Sequence, residues 1–262
     1  MVKLIILMTD FGMRDGYPGI MKGVILKIAP DAQINDLTHA ITPQNVMEGA
    51  QALLRAVPYF PPGTVFCAVV DPGVGTARRP LAVRAGDALL VGPDNGLFTP
   101  VIERARSLGQ PVEAVHLDRP QYWLPEVSSV FHGRDIFAPV AAHLANGVEL
   151  IALGTPVTDL VELHLPEPQP IEGGWCGQVM HVDGFGNLST NLTRAHLPKG
   201  HVLIRLPGAE VHGLVRAFGD GAPGELVALI DSSNRVSVCV VNGSAADRLK
   251  VQVGTPVEVI GE

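Results

Sequence analysis

Three short apolar runs in this chain each end on an aspartate. Asp10 follows LIILMT, Asp71 follows FCAVV and Asp94 follows LLVGP. Unbroken apolar runs of five or six residues belong to strands buried on both faces, where no alternation is needed. Such a strand needs a covering layer above and below it, so the runs point to an α/β layered fold. In open α/β sheets, ligands bind beyond the carboxyl ends of the strands. If the strands are parallel, the three carboxylates share one crevice. An aspartate after a strand can also be a plain turn former or helix cap. One alone would be read that way; three together favour a site.

Helical segments fall between the runs. Gly16 to Ile28 has helical period. A second helix is expected with Thr42 as its cap, Pro43 in its first turn and Val46, Ala50, Leu53 and Val57 on one face, stopping at Pro58. Val65–Val70, Leu81–Val83 and Ala88–Val91 read as strands. A further helix runs from about Asp135 to Ala145, with Pro139 tolerated near its first turn. The expectation for residues 1–164 is an α/β domain with a mostly parallel sheet. Residues 165–174, LPEPQPIEGG, hold three prolines and a glycine pair and read as a stiff linker. Beyond it, Gly177–Val182, His201–Leu206, Glu225–Ile230, Arg235–Val241 and Val257–Ile260 suggest a small all-β barrel over residues 175–262.

Composition narrows the class. The chain is 47% hydrophobic and 17% charged, enough apolar material for a sizeable core. A net charge of −7 argues against a nucleic-acid partner, which wants a basic face. Cys67, Cys176 and Cys239 are widely spaced, with no CxxC, and read as small buried residues in a reducing compartment. The N-terminal run Leu4–Met8 is too short for a signal peptide and meets Asp10 at once. No stretch approaches the roughly 20 apolar residues of a bilayer span. A soluble cytoplasmic protein is expected, with no membrane partner.

Two polar stretches carry the most concentrated chemistry. VVDPGVGTARRPLAV places Asp71 and Arg78 around a Gly-rich turn, with Pro72-Gly73 favouring a type II turn with positive φ at Gly73. The turn lacks GxxxxGK[ST] and GxGxxG, so neither a phosphate loop nor a dinucleotide site is supported. Arg78 or Arg79 could hold Asp71 ionised; a surface ion pair is the plainer alternative. FHGRDIFAP places His132, Gly133 and Asp135 at a helix start, where a neutral imidazole could accept a proton and Asp135 suits the helix dipole. A metal site built from Asp10, Asp71, Asp94, His132 and Asp135 competes. The absence of HxH, HxxxH and HExxH, and an arginine beside Asp71, weigh against it. GxSxG is absent, so a serine nucleophile is disfavoured. In DGFGNLSTN, Phe185 could stack on a base and Asn187 could read its edge; a hairpin turn with a solvent-facing Asn is the alternative.

Taken together, MTDFG, VVDPGVGT with Arg78, PDNGLF, FHGRDIFAP, DGFGNL, DSSNR and VNGSAA resemble the S-adenosyl-L-methionine hydroxide adenosyltransferases, relatives of fluorinating and chlorinating enzymes. The resemblance runs nearly end to end, in order. It implies hydrolysis of S-adenosyl-L-methionine to adenosine and L-methionine, with no cofactor and no metal. It implies a homotrimer whose sites lie between the N-terminal domain of one subunit and the C-terminal domain of its neighbour. The family's Asp-Arg-His set corresponds to Asp71, Arg78 and His132, and its ribose-binding carboxylate to Asp10. Contacts to the methionine and adenine portions correspond to Asp15, Asp183, Asn187, Ser232 and the backbone near Asn242. The chain has Asp71 where halogenating relatives carry Tyr, Gly133 at their halide Ser, and Gln44 at the Trp of their TPW segment. These departures favour water over halide, because an ionised Asp71 repels an anion. The alternatives are a non-catalytic adenosine-binding protein, a halogenating enzyme and a metal-dependent hydrolase.

Overall fold

The computed structural model describes residues 3–262; Met1 and Val2, at the start of the domain expected over 1–164, lie outside the described residues. The chain divides into two compact units, Met1–Leu163 and His164–Glu262.

The first unit runs β1 (Leu4–Thr9), α1 (Tyr17–Ile28), β2 (Gln33–Thr38), α2 (Val46–Ala56), β3 (Val65–Val69), β4 (Pro80–Ala85), β5 (Ala88–Pro93), α3 (Thr99–Ser107), β6 (Val112–His116), α4 (Ala138–Ala145) and β7 (Thr155–Pro156). Its seven strands form one sheet in the order β2-β1-β3-β5-β4-β6-β7. The apolar runs are buried on both faces. Ile5 and Leu7 of β1, with Val65, Cys67 and Val69 of β3, pack on Met21 and Ile25 of α1 and Val140 of α4. Ile6, Met8, Phe66 and Ala68 face the other way, onto Ala50 and Leu53 of α2 and Val101 and Ile102 of α3. Each Val, Leu, Ile, Met or Phe side chain among them contributes about 1.5–3 kcal/mol when fully buried.

The sheet is mixed, which corrects the expectation of a mostly parallel one. β2, β1, β3 and β5 are parallel neighbours, but β5–β4, β4–β6 and β6–β7 are antiparallel. Only Gly86 and Asp87 separate β4 from β5. A parallel crossover needs a dozen residues or more, whereas two suffice for a hairpin. The second helix also starts later than expected. Its N-cap is Asn45, whose side chain accepts from Glu48 N, and not Thr42. Gln44 takes a left-handed φ of 66°, which breaks any helical turn begun at Thr42. Before α4 lies a single π-turn, Gly133–Phe137, so the expected helix from Asp135 begins in a wider coil.

The second unit runs β8 (Gln169–Ile171), β9 (Gly174–Val182), β10 (Leu188–Thr193), β11 (Val202–Leu206), β12 (Ala209–His212), β13 (Leu226–Ile230), β14 (Arg235–Val240), α5 (Ala245–Leu249) and β15 (Pro256–Gly261). The strands pair antiparallel in the order β12-β11-β15-β9-β10-β14-β13, with β8 on β9. Just past β12, Val215 N donates to Ala228 O of β13 at 2.8 Å, so the sheet is nearly closed and barrel-like. α5 makes the unit less than strictly all-β. β8 lies within residues 165–174, so part of that Pro-rich stretch is strand. Burial pushes the thiols of Cys67 and Cys239 up to about 12, and all three cysteines are free.

Candidate active site

The site of the first unit grows from the ends of two parallel neighbours. Thr9 pairs with Val69, so Asp10 and Asp71 emerge from adjacent strands at one edge of the sheet. Parallel neighbours lie about 4.8 Å apart, so the two following loops start side by side. After Asp71 the chain turns tightly, with Val74 N donating to Asp71 O and Thr76 N to Gly73 O. The left-handed residue is Gly75, at φ 75°, and not Gly73 as the Pro-Gly pair suggested. A Cβ on Gly75 would stand 2.3 Å from the Ser129 carbonyl oxygen. Glycine there lets the loop of Asp71 and Arg78 touch the loop that ends in His132.

Arg78 sits between Asp71 and His132. Its Nε donates to Asp71 Oδ1 at 2.9 Å and its Nη2 donates to Asp71 Oδ2, a bidentate, charge-assisted pair. The Asp71 and Arg78 side chains are 5% and 8% exposed, so this is not the screened surface pair that carries little energy. Nη2 also lies 2.8 Å from His132 Nδ1. A guanidinium only donates, so Nδ1 must accept and the imidazole proton belongs on Nε2. Burial, and then the Arg78 charge, push the His132 pKa below the usual imidazole value; Asp71, Asp135 and the Ser128 carbonyl oppose them only partly. The Arg78 guanidinium lies over the Phe137 ring, 5.2 Å from its centre. Its Nη1 is buried and has no hydrogen-bond partner among the described residues. A buried charged donor left open costs free energy until something accepts from it.

Asp10 is fixed from the next loop: its Oδ2 accepts from the backbone N–H of Gln44 at 2.7 Å. Asp15 lies on the exposed turn that leads into α1. Phe11 joins the two loops. Its ring packs edge-on against Tyr17 and Phe131, 6.1 and 5.9 Å between centres. A Cβ on Gly133 would meet Phe11 at 3.3 Å. Neither the Phe11 contact nor the Gln44 amide was legible beforehand: ring packing and a backbone donor leave no signature in residue type. Two aspartates from the sequence reading serve elsewhere. Asp94 is buried, paired with Arg79 and accepting from Val161 N, and so ties down the end of the unit. Asp135 is fully buried, bound by Arg134 and by Ser128 N, where it braces the loop before His132.

In the second unit Asp183 organises the β9–β10 turn. Its Oδ1 accepts from Phe185 N and Asn187 N, each at 2.9 Å, and its Oδ2 from Asn187 Nδ2 at 2.8 Å. Phe185 projects from the tip, 80% exposed. Gly186 packs on Ser244, next to Asn242, which has a left-handed φ of 56°. Asp231 accepts from Ser189 and Ser237 hydroxyls and ties down the turn bearing exposed Ser232. The strand β10 takes up Leu188–Thr193, so Asn191 is not a turn residue; its Oδ1 accepts from Gln178 N.

Among the described residues, no group of three or more His, Cys, Asp or Glu side chains is placed to hold a metal ion. No helix among them is long and apolar enough to cross a membrane.

Comparisons with known proteins agree across both units. The family described as SAM hydroxide adenosyltransferase N-terminal domain matches residues 5–154, and its C-terminal-domain counterpart matches residues 177–258. An (R)-S-adenosyl-L-methionine hydrolase of Salinispora tropica is 44% identical over 256 residues, covering 96% of this chain and 95% of that protein. A fluorinase of an Actinoplanes species is 31% identical over 226 residues, 76% of this chain and 74% of its own. The crystal structure of an uncharacterized conserved protein from Thermotoga maritima superposes with a TM-score of 0.90 at 36% identity, covering 98% of this chain and 100% of that one.

Proposed function

The chain belongs to the SAM hydroxide adenosyltransferase family, and from that premise we propose that it hydrolyses S-adenosyl-L-methionine to adenosine and L-methionine. Water attacks C5′ of the adenosyl group, the C5′–S bond breaks, and methionine leaves as a neutral thioether. The sulfonium is already an activated leaving group, so departure needs no general acid. What remains is to align water behind C5′ and to remove its proton. Alignment can supply up to roughly 7–11 kcal/mol, and proton transfer roughly 10²–10⁴ in rate.

The single observation that carries this reading is Arg78 bound at once to Asp71 and His132. The open Nη1 donor of Arg78 can hold the water oxygen through one lone pair, which leaves the other free to attack C5′. His132 cannot take the proton at Nδ1 without losing Arg78, and its Nε2 already carries one. Asp71 is therefore the proton acceptor of the unit; each of its oxygens keeps a lone pair beyond the one Arg78 uses. Arg78 fills the space between Asp71 and His132 that a metal ion would need. An anionic Asp71 would also repel a halide, which separates this chemistry from the fluorinase branch.

Asp10 binds the ribose hydroxyls. Asp15, Gly133, Asp183, Phe185, Asn187, Ser232 and Asn242 contact the rest of the substrate, in a homotrimer with sites between subunits. Exposed Ile20 and Leu26 on the outer side of α1 are consistent with association. The second unit acts as a barrel-like, mainly β module over 175–262, joined to the catalytic domain 1–164 through 165–174, and the protein works in the cytoplasm.

The test is product analysis with purified protein and S-adenosyl-L-methionine. Adenosine and methionine should form in equal amounts, insensitive to chelators and to added chloride or fluoride. Bound nucleoside without turnover would instead favour a binding protein, and 5′-halogenated products a halogenase.

A further inference from the structure

A second polar chain lies beneath the Asp10 loop, and the reaction as described does not use it. Lys22 Nζ on α1 is 2.6 Å from Asp36 Oδ2 on β2. Asp36 Oδ1 is 3.0 Å from His39 Nε2. His39 Nδ1 is 2.8 Å from Thr9 Oγ1 at the end of β1. Thr9 Oγ1 in turn accepts from Phe11 N at 3.2 Å. His39 Nε2 faces Asp36 at ion-pair distance without an aligned hydrogen bond among the described residues, and Nδ1 shares a hydrogen bond with the Thr9 hydroxyl. The contacts run from the Lys22 ammonium to the Phe11 amide, with the Asp36–His39 step at ion-pair distance.

The chain surrounds one segment. Residues 10–16 leave β1 at Thr9 and enter α1, which carries Lys22, so both ends of the loop are tied to His39 and Asp36. The middle is tied as well, because Gly12 N donates to His39 O at 2.8 Å. His39 and Thr9 are both buried. The pairing of β1 with β2 slips here, with Leu7 opposite Asp36 but Met8 opposite Thr38. A bulge of this kind re-aims side chains beside functional loops.

We propose that Lys22, Asp36, His39 and Thr9 are positioning residues that aim the Asp10 carboxylate at the ribose and seat Phe11 against Gly133. The inference rests on the reading of Asp10 as the ribose-binding residue. His39 and Asp36 touch no reacting atom; they act through the loop they hold.

The experiment compares His39→Gln, Asp36→Asn, Asp10→Asn and the Asp10→Asn/His39→Gln pair, with S-adenosyl-L-methionine and its 2′-deoxyadenosyl analogue as substrates. Asp36 is partly exposed, so its variant keeps the test alive if His39→Gln fails to fold. The relay loses roughly tenfold or more in kcat/KM with S-adenosyl-L-methionine, because small misplacements from distant changes are costly. It loses much less with the 2′-deoxy analogue, so discrimination between the two narrows. The double variant is no worse than Asp10→Asn alone. Losses that multiply in the double variant, or equal losses on both substrates, overturn the relay while leaving Asp10 in its role. An Asp10→Asn variant with normal kinetics overturns the ribose assignment and the relay with it.

Discussion

In the first unit the polar groups at the sheet edge are locked together. Asp71, Arg78 and His132 come from two loops and are held by bidentate and ring hydrogen bonds; the Asp71 and Arg78 side chains lie largely out of water and His132 is half-buried. In the second unit the corresponding groups sit on turns. Phe185, Ser232 and Asn242 are exposed, and the carboxylates Asp183 and Asp231 spend their oxygens on their own turns and on neighbouring strand hydroxyls. A prearranged, desolvated cluster is what stabilises developing charge, since its dipoles need no reorganisation during reaction. Exposed turns with a projecting ring suit recognition. On the proposed function, the first unit would carry the chemistry and the exposed turns of the second would contribute recognition.

Substitutions in the two regions should fail differently. The largest effect is expected from Asp71→Asn, which keeps shape but removes the anionic acceptor; kcat should fall by roughly 10²–10⁴ with KM little changed. Steady-state kinetics check it, and a variant with near-normal kcat would dissolve the contrast between the units. Next comes Gly75→Ala. The residue is left-handed and faces the Ser129 carbonyl, so about 1–3 kcal/mol of stability should be lost. Denaturant unfolding would register that loss together with a drop in kcat, because the Arg78 and His132 loops must separate.

A third effect is titration. Neutral His132 is needed to accept from Arg78, and its pKa is depressed. Activity should hold as pH falls past about 6.5, the usual imidazole value, and decline only below it. The unfolded chain binds the proton more readily than the folded one, so stability from this group is present above about 6.5 and is lost as pH falls through the depressed value. In the pH profile of kcat, His132→Asn, which keeps an acceptor near Nδ1, should erase that acid limb. The smallest effect is expected from Phe185→Ala in the second unit. KM should rise several-fold with kcat and thermal stability intact, since the ring is exposed and supports nothing. A fall in kcat comparable to that of Asp71→Asn would place chemistry in the second unit after all.

What could be read from sequence follows the same divide. β1 and β3 were legible because both faces of each are buried and their residues are apolar without interruption. β2, QINDLT, was not, because an edge strand stays polar. β10 was hidden inside a run of turn-forming residues, and Thr190 and Asn191 are buried there by tertiary pairing rather than by propensity. The parallel sheet was over-read because Gly86-Asp87 was not weighed as a hairpin turn. Asp71, Arg78 and His132 stood out as charged residues at the rims of apolar elements. The amide of Gln44, the ring of Phe11 and the His39 chain did not, since their roles depend on long-range contacts that residue type does not encode.

The most direct measurement is to run the reaction in ¹⁸O-labelled water and locate the label by mass spectrometry. One atom of ¹⁸O should appear in adenosine, on the 5′ oxygen, with unlabelled methionine, and Asp71→Asn should slow formation of that labelled adenosine by roughly 10²–10⁴. Release of adenine, label in any other product, or labelled adenosine formed at the wild-type rate by the Asp71 variant would contradict attack on C5′ by water held in the Asp71–Arg78–His132 cluster.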